Sequence, residues 1–438
     1  MEERVLDPKA LDLPALRRLP PHELTEALVA LTPAELAGIF KRFGDEDLAE
    51  LVAELDPYDA ARIILKLSGP QGADLLEEMA PDDAADVVEE LAPSQAEALL
   101  REMEPSEARE LQELLAHPED SAGSLMTPEF VAVGPDSTVE DALATLRRVA
   151  EEAETVYYTY VTDPQSRRLL GVLPLHELLF SKPHTAVREI MRRDVIKVPI
   201  ETSKQEAARL LDQYHFLALP VVDAEDRLLG IITADDAAEV LLEEAAEDIE
   251  RLGGAQPLDQ PYLTASPFTL ARKRIGWLLL LFVASAYTGS VMRHFENELT
   301  SVVALAFFIP LLIGTGGNTG SQTVTTVIRA MALGELRFQD TFRIWLKEIS
   351  TAVLLATAMA LAAFIRAWSL GVPTIGLTVA LSISVIVVWA ATVSAVLPLL
   401  LRRLRVDPAV VSAPLITTLV DGTGLVIYFE IARRTLSL

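Results

Sequence analysis

Five long apolar runs fill the last third of the chain, at about 275–292, 299–328, 343–370, 374–401 and 408–432. Each is close to or beyond the roughly 20 residues a helix needs to cross a bilayer. Lipid cannot hydrogen-bond an exposed backbone, so such runs are expected to be helices, and residues 275–438 a five-helix transmembrane domain. Flanking bases set its orientation. Ten lie within 272–274, 329–347 and 402–405, against four at Arg293, Arg366, Arg433 and Arg434. Excess Lys and Arg mark the cytosolic ends. This predicts a multi-pass protein of the cell (inner) membrane, amino terminus in the cytosol and carboxy terminus outside, with Arg433 and Arg434 as mild exceptions. No apolar signal segment occupies the first 30 residues, in keeping with a cytosolic amino-terminal half.

Asp421 stands alone in the otherwise uncharged stretch 408–429. A charge at the bilayer centre costs on the order of 2.5–3.5 kcal/mol on insertion scales and rarely faces lipid. Asp421 is therefore expected to face a water-filled path or a partner group, which makes the chain a candidate cation conductor. A structural hydrogen bond to a neighbouring helix is the alternative. The second run contains PLLIGTGGNTGSQ at 310–322. Glycines four apart let helices approach closely. Thr315, Asn318, Thr319, Ser321 and Gln322, however, add more polarity than packing needs, and broken backbone at this depth is tolerated only inside protein or along a cavity. The last run repeats the theme at Pro414, Thr417, Thr418 and 421–424. Gly316, Gly317, Asn318, Gly320, Thr417 and Gly424 are accordingly expected to line a pore. No Lys-Ser/Thr follows the glycines, so this is not a phosphate loop. Mg2+ dehydrates reluctantly and is usually held through waters with one or two carboxylates. Two copies of Asp421 meeting on a twofold axis, the commonest closed symmetry, would suit a hydrated Mg2+. A homodimer is expected.

The acidity lies elsewhere. Residues 1–126 carry 30 acids and 10 bases, residues 127–252 carry 25 and 13, and residues 253–438 carry 9 and 14. The net charge of −27 thus belongs to the first 252 residues, which argues against nucleic acid and anionic lipid as partners of that half and favours divalent cations. Chains without cysteine, as here, form no disulfide or thiolate metal site. No triad, metal-water site or phosphate loop supports an enzyme.

Residues 31–115 repeat a unit of about 12 residues, with starts at Pro33, Pro57, Pro70, Pro81, Pro93 and Pro105. Proline suits the first turn of a helix, and two-turn units that cannot bury a core singly should stack into a solenoid. This predicts an all-α, superhelical domain over 1–126. Asp82 and Asp86, four apart, share one helix face; alone, such a pair is more often solvated than metal-binding. Residues 127–252 hold two similar halves, each with strands alternating with a helix: 131–133, 138–151, 157–162 and 169–173, then 196–198, 204–213, 218–222 and 228–232. That pattern predicts a compact α/β pair. The PVVD at 220–223, the LLGIIT at 228–233 and Asp235-Asp236 resemble paired CBS domains.

Taken in order, the short-helix repeat, the bridge PEDSAGSLMT at 118–127, the CBS pair, a polar linker and five spans resemble the MgtE family of magnesium channels and transporters over essentially the whole chain. The glycine/asparagine segment of the second span and DPAVVS at 407–412, leading on to Asp421, are the most specific pieces. The resemblance implies a homodimeric, Mg2+-selective channel importing magnesium across the membrane, with Asp421 as its ion-binding residue and residues 253–274 as a connecting helix that plugs the pore. It implies closure when cytosolic Mg2+ binds between the acidic domains. Asp82, Asp86, Asp236, Glu244, Glu247 and Asp248 would be ligands, with Glu50 and Glu239 beside them. Ser203, Gln205 and His215 stand where the family tends to place acids, and Asp212 is an added one. The resemblance also places a regulatory ATP near Tyr158, His176, Glu177 and Phe216, where His176 and Glu177 replace a typical basic–Asp pair. A coupled secondary transporter and a membrane-anchored sensor are the alternative readings. The first would need a relay of intramembrane acids or histidines, yet only Asp421 lies deep, with Glu430 near the outer boundary. The second leaves the polar second span without purpose.

Overall fold

The computed structural model describes residues 13–150, 153–332, 334–404, 406 and 413–437. They divide into two compact units, Met1–Glu244 and Ala245–Leu438. In the first unit, short helices run as α1 Leu13–Leu16, α2 Pro21–Val29, α3 Pro33–Phe43, α4 Asp45–Ala53, α5 Pro57–Ile64, α6 Gly69–Glu77, α7 Pro81–Glu89, α8 Pro93–Glu102 and α9 Pro105–Leu114. Proline opens six of them, where its fixed φ is helical and its missing N–H costs nothing. Helices α1, α2 and α4 are additions to the expected series. Gly44, at φ 94°, ends α3 and opens α4 without a proline. From α4 onward each helix packs on the one two along (α4 on α6, α5 on α7, α6 on α8, α7 on α9). Their apolar faces therefore merge into one core running through Leu36, Leu48, Ile63, Leu75 and Leu99.

The α/β part is a duplication. Its first half holds β1 Val131–Val133, α10 Val139–Arg148, β2 Tyr158–Thr162, β3 Leu169–Pro174 and α11 Leu175–Phe180, followed by α12 Val187–Ile190. The second holds β4 Val198–Pro199, α13 Lys204–Tyr214, β5 Ala218–Val222, β6 Leu228–Thr233 and α14 Ala234–Leu252. The sheets have the orders β1-β2-β3 and β4-β5-β6, the first pair parallel and the second antiparallel. The register slips at Val161/Thr162 in one and at Val221/Val222 in the other, corresponding positions. Gly171 and Gly230 occupy equivalent places on β3 and β6. A Cβ at Gly171 would lie 2.9 Å from the Arg192 carbonyl, and one at Gly230 would lie 2.7 Å from that of Thr127. Each half is thus bridged by backbone of the segment that leads into the other, through Val172–Arg192 and Thr127–Ile231. Ala207, Leu211, Ala237 and Val240 share the apolar cluster of Leu111 and Leu114, so the solenoid and the second half have one core.

The second unit carries α15 Pro267–His294, α16 Glu296–Ser301, α17 Ile309–Ala332, α18 Thr341–Ser369, α19 Gly376–Arg403 and α20 Ala413–Leu436. Short 3-10 turns at Val303–Phe308, Phe338–Asp340 and Pro373–Ile375 precede α17, α18 and α19. Among the described residues, five helices are long and apolar enough to cross a membrane. Helices α17, α19 and α20 form the inner packing, with α18 against α19 and α15 against α20. Val291 is the buried residue of α15; a helix apolar on all sides belongs in lipid. The expected separate helix over 253–274 is corrected. Residues 253–266 are irregular, because Gly254 takes φ 76° and Pro257 and Pro261 remove donors. Helix resumes only at Pro267 and runs on as the first span, eight residues before the expected start.

Candidate ion-binding sites

Within the membrane unit, α17 and α20 bring the expected pore residues together. Gly316, Gly317 and Gly320 are buried, and a Cβ there would fall 2.7 Å from Ile386, 2.8 Å from Thr417 and 2.7 Å from Ile416 respectively. These glycines thus seat α17 against α19 and α20. Gly424 is buried as well, 3.6 Å from Ile386 by the same measure. Asn318, in contrast, is exposed, and with Gln322, Thr325 and Thr326 it makes a polar stripe along the open face of α17. Thr417 approaches Ser321, their hydroxyls 3.2 Å apart. Asp421 is half-buried in α20; its Oδ1 is shut off from solvent and meets no hydrogen-bond partner among the described residues. Buried polar atoms nearly always have one, so the alternative of a structural hydrogen bond gains no support at this oxygen. The motif at 407–412 lies outside the described residues. Arg433, an exception to the charge asymmetry, pairs with the buried Glu298 at 3.0 Å and with Glu430 at 3.5 Å, and Arg434 lies 3.8 Å from Glu430.

In the first unit, the acids concentrate at two helix starts. Asp82 and Asp83 occupy the first turn of α7, and Asp235 and Asp236 that of α14, where the positive end of the helix dipole favours them. Asp236 accepts from the Thr233 amide at 3.3 Å and from its hydroxyl. Burial first, then the charges of Asp236, Asp83 and Glu154, hold the Asp82 carboxyl well above its ordinary range. Burial, then the charges of Asp236, Glu154, Glu239 and Asp235, push Asp83 up to about 7. Asp236 is raised by burial and by Asp235, against its Thr233 bonds. Asp82 is 7% exposed, and its Oδ1 has no hydrogen-bond partner among the described residues. Asp86 and Glu239 lie at the exposed edge, with Lys204 as counter-charge. The remaining expected ligands are occupied otherwise. Glu50 pairs with Arg17 and Glu244 with Arg209. Glu247 pairs with Arg251 at 2.7 Å, and it and Asp248 belong to the second unit. Among the described residues, no three His, Asp or Glu converge at coordination distance. Asp83 and Glu154 are members that sequence reasoning missed. Glu154 lies some seventy residues from α7, and no local signal links the two.

A cleft of about 340 Å³ opens between the CBS halves, lined by Tyr157, Tyr158, His176, Arg192 and Leu217 among others. Of the four expected nucleotide residues, Tyr158 and His176 line it. Glu177 stands behind and accepts from Arg192 Nε at 2.9 Å. Phe216 stacks on Tyr214 at 5.5 Å and packs into the solenoid core instead.

A multi-pass helical domain with a carboxylate, Asp421, set deep in one span, joined to an acidic solenoid and a CBS pair, defines a membrane transporter for cations. Known proteins give the family. The family model described as divalent cation transporter matches residues 309–431, the MgtE intracellular N domain matches 17–120, and the CBS domain matches 122–182 and 187–243. The magnesium transporter MgtE of Thermus thermophilus is 46% identical over 325 residues, 74% of this chain and 72% of that protein. Its namesake in Bacillus subtilis is 37% identical over 322 residues, 73% and 71%. A crystal structure of the cytosolic domain of the Mg2+ channel MgtE with ATP is 37% identical, covering 52% of this chain and 97% of that one, with a TM-score of 0.43. The chain belongs to the MgtE family of magnesium transporters.

Proposed function

We propose that this chain works as a homodimeric, Mg2+-selective channel that imports magnesium and closes when its acidic cytosolic surface takes up the same ion. One observation carries the reading: a carboxylate within a membrane span, Asp421, has an oxygen that is buried and meets no partner among the described residues. A group so costly at that depth is retained for a function, and a hydrated cation is the partner it lacks. The polar stripe of Asn318, Gln322, Thr325 and Thr326 supports the second copy. Such residues turn to another chain or to water rather than to lipid. A dimer supplies two carboxylates to one hydrated ion, the coordination Mg2+ accepts. Charge asymmetry supports an amino terminus in the cytosol and a carboxy terminus outside.

Burial first, and then the facing charges of Asp236 and Glu154, raise the carboxyls of Asp82 and Asp83, and burial and Asp236 raise that of Glu154. The orphaned Asp82 oxygen fits a cation in their midst. Bound there, Mg2+ would supply the positive charge that cancels this repulsion and holds the solenoid on the second CBS half. The cleft of Tyr158, His176 and Arg192 offers aromatic faces and a guanidinium, a setting suited to an adenine nucleotide such as ATP as regulator. The test is Mg2+-limited growth and Mg2+ uptake of cells lacking their own magnesium importers. The chain is expected to rescue growth, and Asp421→Ala at equal membrane abundance is expected to fail. Undiminished uptake by that variant would overturn the proposal.

A further inference from the structure

The outer-facing ends of α17, α18 and α19 enclose a groove of about 600 Å³ that is apolar except at one point. Met359, Ala362 and Arg366 follow one another along one stripe of α18 and, with Leu370 at its C-cap, form the wall of the groove. Phe307 of the 3-10 turn before α17 closes the far side and is itself 62% exposed. The alanine leaves room that a larger side chain would fill. Arg366 contacts the Ser369 hydroxyl at 3.4 Å and has no carboxylate partner among the described residues. Arg433 and Arg434 at the same end are, in contrast, tied to acids.

Depth identifies what the arginine meets. Trp368, 69% exposed, lies in the same turn of α18, and exposed tryptophan collects at the membrane–water boundary. Arg366 is thus at headgroup level. From it to Met359 the groove runs two turns toward the bilayer centre, about 10 Å at the helical rise. Cationic at the boundary and apolar below, the groove has the polarity of a phospholipid. We propose that this groove is a binding site for one anionic phospholipid, its phosphate on the Arg366 guanidinium and an acyl chain along Met359 and Ala362. The guanidinium fork matches phosphate oxygens bidentately. A headgroup of net negative charge balances it, whereas a choline ammonium would find no acid to pair with.

Native mass spectrometry of the purified full-length protein, released from nanodiscs holding equimolar phosphatidylglycerol and phosphatidylcholine, tests this site. The wild type should retain phosphatidylglycerol preferentially. Arg366→Gln should lower that retention about tenfold, the scale of one lost charge-assisted contact. Ala362→Phe, at an exposed position that leaves the fold intact, should displace the lipid although Arg366 remains. Millimolar glycerol phosphate, which offers the headgroup without the chain, should not compete. Equal retention of the two lipids, full retention by either variant, or displacement by glycerol phosphate would each overturn the assignment.

Discussion

At the scale of single residues, two carboxylates are set apart by what they lack. Asp421 and Asp82 each have a buried oxygen without a hydrogen-bond partner among the described residues, one in a membrane helix and one between soluble domains. Asp421 was legible in sequence because a lone charge in an apolar run is conspicuous. Asp82 was legible only through family resemblance, since acids four apart on an acidic helix are commonplace. Glu154 was not legible at all, because only the tertiary fold brings it near α7. The raised carboxyls have a consequence for pH. Asp83 titrates near 7 when the solenoid is packed on the CBS pair and near 3.8 when it is free. Between those values the packed form binds more protons, so packing is favoured at low pH and weakens as pH rises through about 7. Proteolysis of the Mg2+-free protein should therefore release the solenoid faster at pH 8 than at pH 6, and Asp83→Asn should reduce the difference, part of which Asp86, also pushed up to about 7, retains. Millimolar Mg2+ should slow release at pH 8, and a chelator should restore it. Cleavage indifferent to pH and metal would contradict the acidic cluster as a sensor.

At the scale of elements, the solenoid was the most readable part, because proline announces a helix start by its own geometry. The misses follow from the same physics. Helix α4 begins at a glycine and carries no proline signal, and the helix expected over 253–274 came from family resemblance alone, against the glycine pair and two prolines that keep 253–266 irregular. The glycine-rich span was read correctly as polar. Three of its glycines proved to serve contact with α19 and α20, and its exposed polar residues make a stripe that the sequence places but does not orient. Gly320→Val tests that assignment. Its added atoms would collide with Ile416 of α20, costing about 1–3 kcal/mol for overpacking and visible as a lower Tm in detergent. An unchanged Tm would mean that α17 and α20 do not pack as described.

At the scale of the whole molecule, the acidic half and the membrane half make different demands of one ion. In the proposed function the first senses it at cytosolic concentration, and the second passes it without stripping its water. The chain has no cysteine, so a single Asn318→Cys reports on assembly cleanly. Oxidation of that variant in membranes should give a covalent dimer, and a product that remains monomeric would argue against a second copy at this face. The claim on which the rest depends is that Asp421 holds a hydrated divalent cation in a conducting path. Excised-patch recording with Mg2+ as the charge carrier tests it most directly. The wild type should give ohmic single-channel currents that vanish as Mg2+ at the cytosolic face rises to about ten-millimolar levels, and Asp421→Ala should give none. Currents that persist in Asp421→Ala, or Mg2+ flux that carries no current at all, would contradict the account.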